Sequence, residues 1–146
     1  MNAADKAAIV VGIDGSEPAA RGLVWAIEEA RLRDARIQVV TAWHIPTAAY
    51  GAIGFVPLTT PPIEETFRKA AEEAAATATE QVRTAGVDVD VSVTQGQPAE
   101  VLLEAAAHAD LLVVGSRGHG GFVGLLLGSV SAQCAHHAPC PLVIVR

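Results

Sequence analysis

Aromatic residues, charged residues and long apolar runs are all scarce in this chain of 146 residues. Aromatic side chains make up 4% of the sequence, too few for the stacking platforms with which proteins hold single-stranded nucleic acid. Charged residues make up 18% against 51% hydrophobic residues, a balance that argues against disorder. No apolar run reaches the roughly 18 residues that a transmembrane helix needs. The composition therefore predicts one globular domain, residues 1–146, with a proper core.

Positive charge is in particular deficit, with ten Lys and Arg against sixteen Asp and Glu and a net charge of −6. Nucleic-acid binders obtain most of their affinity from cationic side chains on phosphates, so no nucleic-acid partner is expected. A small phosphate ligand is not excluded, because local N–H groups and one or two cations are enough to hold it. The first six residues lack the basic start and apolar stretch of a signal peptide. We therefore expect a cytoplasmic protein with no membrane partner.

Cysteine is limited to Cys134 and Cys140, which lie near His136 and His137. Cysteine and histidine are zinc ligands, so a metal site is one interpretation. The spacing matches no common zinc pattern, and we predict no metal held by protein side chains alone. Buried thiols at a junction between a helix and a strand are the favoured alternative.

Strand and helix patterns alternate along the whole chain. Residues 8–14 and 110–115 are apolar apart from the terminal residues Asp14 and Asp110, and they are predicted as central strands. Residues 87–94 alternate strictly between apolar and polar and are predicted as an edge strand. Residues 37–43 and 141–145 complete the set of strands. Between them lie predicted helices, of which one follows Ser16 and Pro18 with Leu23 and Val24 on its apolar face, and others cover residues 61–85 and 129–137. This order predicts an α/β fold with a parallel sheet covered on both faces.

The segment 115–131 gives the clearest indication of a ligand-binding site. It begins with glycines at the exit of an apolar strand, where the absence of a Cβ lets the backbone approach a ligand. It ends with Gly128, Ser129 and Ser131 at the start of a helix, whose N–H groups form an anion site. Arg117 is its only Lys or Arg. The segment is predicted to be a phosphate-binding loop. Asp14 is expected close to it, because Asp14 also lies at the carboxyl end of a central strand.

The connection 45–62 has four prolines and two glycines and is unusually long. Its apolar residues favour packing against a ligand or a partner chain. An ordinary mobile surface loop is the alternative.

Gly115, Gly118, Gly128 and Ser129 follow the pattern of a glycine, two residues, a glycine, nine residues, a glycine and a serine or threonine. In this spacing the chain resembles the universal stress protein family, in its nucleotide-binding branch. The resemblance implies a single-domain Rossmann-like or flavodoxin-like three-layer sandwich with a five-stranded parallel sheet in the order 3-2-1-4-5. It also implies ATP with Mg²⁺ as the ligand, and a homodimer formed through the last strand, 142–145, whose apolar edge needs a partner.

The resemblance also assigns residues to the two ends of the nucleotide. Asp14 is expected to contact the ribose or an associated Mg²⁺ ion; the alternative is a turn residue that bonds its own backbone. The backbone near Ala42 and Trp43 is expected at the adenine edge, although Trp43 suits the core equally well. Gly115 and Arg117 are expected near the ribose and the first phosphates.

The remaining assignments concern the phosphates. Gly118 is expected to join Gly115 and Arg117 at the first of them. The β- and γ-phosphates are expected on the N–H groups and hydroxyls of the helix start, and His119 either contacts phosphate or is an exposed loop residue. The helix-start residues are Gly128, Ser129, Val130 and Ser131.

Three functions remain open at this point. The first is a nucleotide-dependent regulatory protein of the stress response, with slow hydrolysis at most. The second is a slow ATPase enzyme, which is disfavoured because the loop offers one arginine, no lysine and no Walker Gly-Lys-Ser/Thr. The third is a binder of AMP or a cyclic nucleotide. No residue is predicted to be catalytic.

Overall fold

The computed structural model describes residues 2–46, 62–118 and 126–146. Five parallel strands form one sheet in the order β3-β2-β1-β4-β5. This confirms the predicted α/β fold and strand order. Along the chain a short 3-10 turn, Ala3–Asp5, comes first and the elements follow: β1 Ala8–Gly12, α1 Glu17–Arg33, β2 Arg36–Trp43, α2 Ile63–Thr84, β3 Val89–Gln95, α3 Pro98–Ala106, β4 Leu111–Gly115, α4 Ser129–His137 and β5 Leu142–Val145.

The sheet separates two apolar clusters. On one face Ile9 and Val11 of β1 pack with residues of α1 and α2, among them Leu23. On the other face Val10 and neighbouring strand residues pack with α3 and α4, including Leu102. Because successive strand side chains point to opposite faces, the all-apolar central strands supply both clusters. The result is the expected three-layer arrangement.

Helix α1 begins at a cap that the sequence predicted. The Ser16 side chain accepts a hydrogen bond from the Ala19 N–H at 3.4 Å, and Pro18 lies in the first turn. Leu23 is buried as expected, whereas Val24 is 49% exposed, so its predicted place on the apolar face was wrong. The buried residues of α1 recur at spacings of three and four, as Leu23, Ala26, Ile27 and Ala30 do, and Val24 lies outside this stripe.

The other boundaries differ little from their predictions. Helix α2 begins at Ile63 rather than at residue 61, and β3 is displaced by about two residues from the predicted 87–94. Gly86 follows the last turn of α2 with φ of 78°, the left-handed conformation that glycine adopts without strain. The greater part of the 45–62 connection, residues 47–61, lies outside the described residues. Within the described ranges no helix is long and apolar enough to cross a membrane.

The two edge strands differ in character. Strand β3 shows the predicted polar exposure, although Val91 is also 52% exposed. Strand β5 pairs with β4 on one side, and all four of its residues, Leu142–Val145, are half-buried. An apolar edge strand is therefore presented at the β5 side of the sheet.

The two cysteines are both free thiols. Cys134 is fully buried in the α3–α4 cluster, and burial raises the pKa of its thiol. Cys140 is half-buried; burial and, to a lesser degree, the nearby charge of Asp110 raise its pKa. No group of three potential metal-ligating side chains occurs in the described part of the chain.

Candidate functional site

The site is organised by the close packing of β4 against the start of α1. A Cβ placed on Gly115, the last residue of β4, would lie 2.7 Å from both the Ala19 nitrogen and the Pro18 carbonyl carbon. Backbone atoms cannot move aside as a flexible side chain can, so only glycine fits here. This contact brings the exit of β4 against the first turn of α1, next to the turn that contains Asp14.

Asp14 forms a turn and is also exposed, so its geometry fits both a turn residue and a residue that contacts a ligand. Its Oδ1 accepts hydrogen bonds from the Ser16 N–H, at 2.9 Å, and from the Ser16 hydroxyl, which makes it a turn-forming residue. It is also exposed, and a Cβ on Gly118 would lie 2.6 Å from its Oδ2. The carboxylate thus lies directly against the backbone of the glycine-rich loop.

The two ends of the loop meet at one carbonyl oxygen. Ser116 O accepts the Gly128 N–H at 2.7 Å and the Ser131 hydroxyl at 2.8 Å. The Ser116 N–H donates to Val145 O in β5 at 2.7 Å. Ser116 and Ser131 are both buried. These hydrogen bonds hold the residue after β4 against the start of α4 and against the edge strand β5.

Next to these hydrogen bonds, the backbone of Arg117 and Gly118 faces Gly128 and the start of α4. We call the space between them the cradle. Gly128 is the residue that precedes α4, and no side chain caps the helix from that position. A Cβ on Gly128 would lie 3.4 Å from Arg117 Cα and 3.7 Å from Gly118 N, so a methyl group would fill the space between the two arms of the loop. Helix geometry leaves the N–H groups of the first turn without acceptors inside the helix. The cradle can therefore receive an anion.

The other loop residues have distinct environments. Ser129 is exposed at the first position of α4, and Val130 is half-buried against the α3–α4 cluster. Arg117 is half-buried and carries the positive charge of the loop. His119 lies outside the described residues. The structure thus brings Asp14 and the described loop residues together at the carboxyl ends of β1 and β4.

The predicted adenine edge lies at the end of β2. Trp43 is buried, and its carbonyl accepts the Gly96 N–H at 2.9 Å. Ala42 is half-buried. Both residues follow Val40 along β2, which pairs with Gly12 of β1, and Asp14 lies two residues beyond Gly12. The end of β2 therefore lies beside the Asp14 turn, on the far side of β1 from β4.

Thr41 is a feature that the sequence analysis missed. It is 2% exposed, and its hydroxyl has no hydrogen-bond partner among the described residues. A threonine that follows the apolar residues Val39 and Val40 near the carboxyl end of β2 was the available signal. A buried hydroxyl without a partner is costly, so removal of this hydroxyl is expected to stabilise the ligand-free protein.

A cavity of about 390 Å³ lies between α1 and α2. It borders Gly15 and Ser16 of the Asp14 turn, and its floor is apolar through residues such as Ile13 and Leu23. It is on the α1–α2 face of the sheet, whereas α4 packs on the opposite face. The cavity is therefore separate from the cradle.

Comparison with known proteins gives close relatives over nearly the whole chain. A universal stress protein from Thermus aquaticus, named for its place beside a sulfhydrylase gene, is 38% identical over 141 residues, which cover 94% of this chain and 97% of the relative. A universal stress protein of Mycobacterium tuberculosis is also 38% identical over 142 residues, which cover 94% of this chain. The match covers 47% of that relative, so the chain spans about half the length of the mycobacterial protein.

Solved structures share the fold. A universal stress protein from Lactobacillus plantarum has a TM-score of 0.78 at 19% identity, with 97% of this chain and 98% of that chain covered. A universal stress protein solved in complex with cAMP has a TM-score of 0.71 at 25% identity, with 97% of each chain covered. The model of the universal stress protein family matches residues 7–146. The glycine-rich loop, the strand order and these matches agree, and the chain belongs to the universal stress protein family.

Proposed function

We propose that this protein binds ATP with Mg²⁺ at the carboxyl ends of β1 and β4, and that it acts as a nucleotide-dependent regulatory protein of the stress response. The whole chain acts as a single domain in this role. The observation that carries the proposal is the cradle, in which Gly128 leaves room for an anion between Arg117, Gly118 and the start of α4. Backbone N–H groups at a helix start favour phosphate over neutral ligands.

The residues around the cradle supply what a triphosphate requires. The N–H groups of Ser129 and Val130 would hold terminal phosphate oxygens, and Arg117 would add a positive charge. Asp14 lies against Gly118, and a carboxylate so near to phosphate is favourable when a cation lies between them. Carboxylate and phosphate oxygens are the ligands that Mg²⁺ prefers, and the ion would neutralise phosphate charge there.

Binding rather than turnover is the function that this residue set supports. Stabilising the transition state of phosphoryl transfer needs several cationic groups and a residue that positions water. The loop 115–131 has one arginine and no lysine. Hydrolysis is therefore slow at most, and ATP occupancy acts as the signal. We expect a regulator of this kind to act in the cytoplasm.

A second candidate, a cyclic nucleotide or AMP as the ligand, is supported by one finding. The structure solved with cAMP is 25% identical to this chain and has the same fold. A monophosphate would use the base and ribose end of the crevice and would leave the start of α4 without a ligand. The relative affinities for ATP, AMP and cAMP therefore distinguish the two candidates.

We also propose that two copies of this chain associate through β5. The strand pairs with β4 on one side, and its four apolar residues are half-buried in a single copy. Unpaired apolar edges favour association because their N–H and C=O groups and their side chains both gain partners. Size-exclusion chromatography with light scattering is expected to give about 30 kDa, and a monomer at micromolar concentration would contradict this.

The first experiment is to denature the freshly purified protein and to identify any released nucleotide by chromatography and mass spectrometry. Near-stoichiometric ATP is the expected result. Titration calorimetry of nucleotide-free protein with Mg·ATP, AMP and cAMP then ranks the ligands. Tighter binding of AMP or cAMP than of ATP would favour the second candidate, and absence of binding by all three would refute the nucleotide site.

A further inference from the structure

Ser131 has a chemical environment unlike that of the other loop residues. It is 2% exposed, and its hydroxyl donates toward two carbonyl oxygens, Ser116 O at 2.8 Å and Gly128 O at 3.1 Å. A hydroxyl has one proton, so the shorter contact with Ser116 is the principal hydrogen bond. Ser129, two residues earlier in α4, is by contrast exposed.

The hydrogen bond to Ser116 completes the coordination of a single oxygen. A carbonyl oxygen has two lone pairs, and Ser116 O accepts one N–H from Gly128, at 2.7 Å, and one O–H from Ser131. The Gly128 bond joins the loop to the residue before α4, whereas the Ser131 bond joins it to the first turn of the helix itself. Together the two bonds hold the start of α4 against the Ser116 end of the loop.

We infer that Ser131 is a positioning residue for the phosphate end of the ligand and does not itself contact phosphate. This inference rests on the proposed nucleotide function. Through the Ser116 carbonyl, the Ser131 hydroxyl holds the first N–H groups of α4 opposite the Arg117–Gly118 arm. The described residues of the cradle are therefore held in place before the ligand arrives, which lowers the entropic cost of binding.

A positioning role for Ser131 should affect the phosphate end of the nucleotide and not its base end. The first turn of α4 serves the β- and γ-phosphates in the proposed complex, whereas the base end lies beside β2. Loss of the Ser131 hydroxyl should therefore weaken binding of ATP and leave binding of AMP nearly unchanged. A general loss of stability would lower both affinities together.

The experiment measures the Kd values of Mg·ATP and AMP by calorimetry for the wild type, Ser131→Ala, Ser131→Thr and Ser129→Ala. We expect Ser131→Ala to weaken ATP binding about tenfold, as for the loss of one buried hydrogen bond, with AMP changed less than twofold. Ser131→Thr keeps the hydroxyl and should restore most of the ATP affinity. If Ser131→Ala does not fold, Ser131→Cys, which keeps the size but donates weakly, takes its place.

Amide hydrogen exchange of the ligand-free protein gives an independent measurement. In Ser131→Ala the Gly128 N–H, which shares the Ser116 acceptor, should exchange faster, while in Ser129→Ala it should keep its wild-type rate. Equal ATP affinity in Ser131→Ala and wild type, or equal losses for ATP and AMP, would overturn the inference alone. A wild type that binds neither nucleotide would overturn the proposed function and this inference with it.

Discussion

The substitution Gly128→Ala should change ATP affinity strongly and the free energy of unfolding only slightly. In the structure, the added Cβ would lie 3.4 Å from Arg117 Cα, 3.5 Å from Ser116 O and 3.7 Å from Gly118 N, all ordinary van der Waals contacts. Gly128 has φ of −75° and ψ of 171°, which alanine adopts without strain. Alanine is a poorer helix cap than glycine, but it also reduces the entropy of the unfolded chain. These effects oppose each other, so the free energy of unfolding should change by less than about 1 kcal/mol.

The effect on ligand binding should be much larger. The methyl group would occupy the space between the two arms of the loop, where a phosphate oxygen must come within about 2.9 Å of the N–H groups. Loss of one or two hydrogen bonds to a charged group costs about 2–3 kcal/mol, which corresponds to a loss of affinity of about 30- to 150-fold. Calorimetry with Mg·ATP measures this loss, and urea unfolding confirms that the variant remains folded.

Gly86→Ala is the matched control. Gly86 has φ of 78°, so alanine there is strained, and the residue follows α2 at the opposite edge of the sheet from the loop. We expect a loss of stability of about 1 kcal/mol with the wild-type Kd for ATP. A folded Gly128→Ala variant that binds ATP as tightly as the wild type would refute the assignment of the cradle to phosphate.

Three further predictions concern stability. Gly115→Ala should lower the free energy of unfolding by about 3 kcal/mol or prevent folding, because its Cβ would overlap backbone atoms of α1 at 2.7 Å. A loss of less than about 1 kcal/mol, measured by urea unfolding, would contradict the packing argument. Thr41→Val should stabilise the ligand-free protein by about 1 kcal/mol, because it removes a buried hydroxyl that has no partner among the described residues; a lower urea midpoint would show that the hydroxyl is hydrogen-bonded in solution. The pKa of Lys6 is raised from its ordinary value of 10.5 by hydrogen bonds to Asp34 and then Asp88, so the stability that it contributes is complete below that value and is lost as the pH rises through the folded pKa. Lys6→Met should therefore have a lower melting temperature than the wild type at pH 8, and this difference should become smaller above pH 11. A difference that stays constant with pH would show that the ion pairs of Lys6 do not cause it.

The central or edge position of three strands could be predicted because hydrophobic patterns report how many faces of a strand are covered, whereas the full strand order followed from the family resemblance. Strands β1 and β4 are apolar on both faces and lie in the centre, whereas β3 alternates and lies at an edge. The start of α1 was also predictable, since Ser16 and Pro18 act locally. The Val24 prediction failed because helical periodicity identifies an apolar stripe without giving the width of the surface that it covers.

The candidate site could be located from the sequence but its internal roles could not. The spacing of Gly115, Gly118 and Gly128 identified the loop, yet the three glycines differ in the structure. The first allows close packing on α1, the second faces Asp14, and the third leaves the cradle open. Each role depends on what lies opposite the missing Cβ, and the sequence does not give those distances.

The same limit applies to the hydroxyl groups of the loop. From the sequence, Ser129 and Ser131 are equivalent donors at a helix start, and both were assigned to phosphate. The structure distinguishes them, because the third residue of α4 points back toward Ser116 while the first is exposed. Ser116 in turn bonds to Val145 of β5, so the orientation of the loop depends on a strand that begins more than ten residues after it. A site built from backbone groups acquires its specificity through such supports, and the residues that hold the backbone are as necessary as those that touch the ligand.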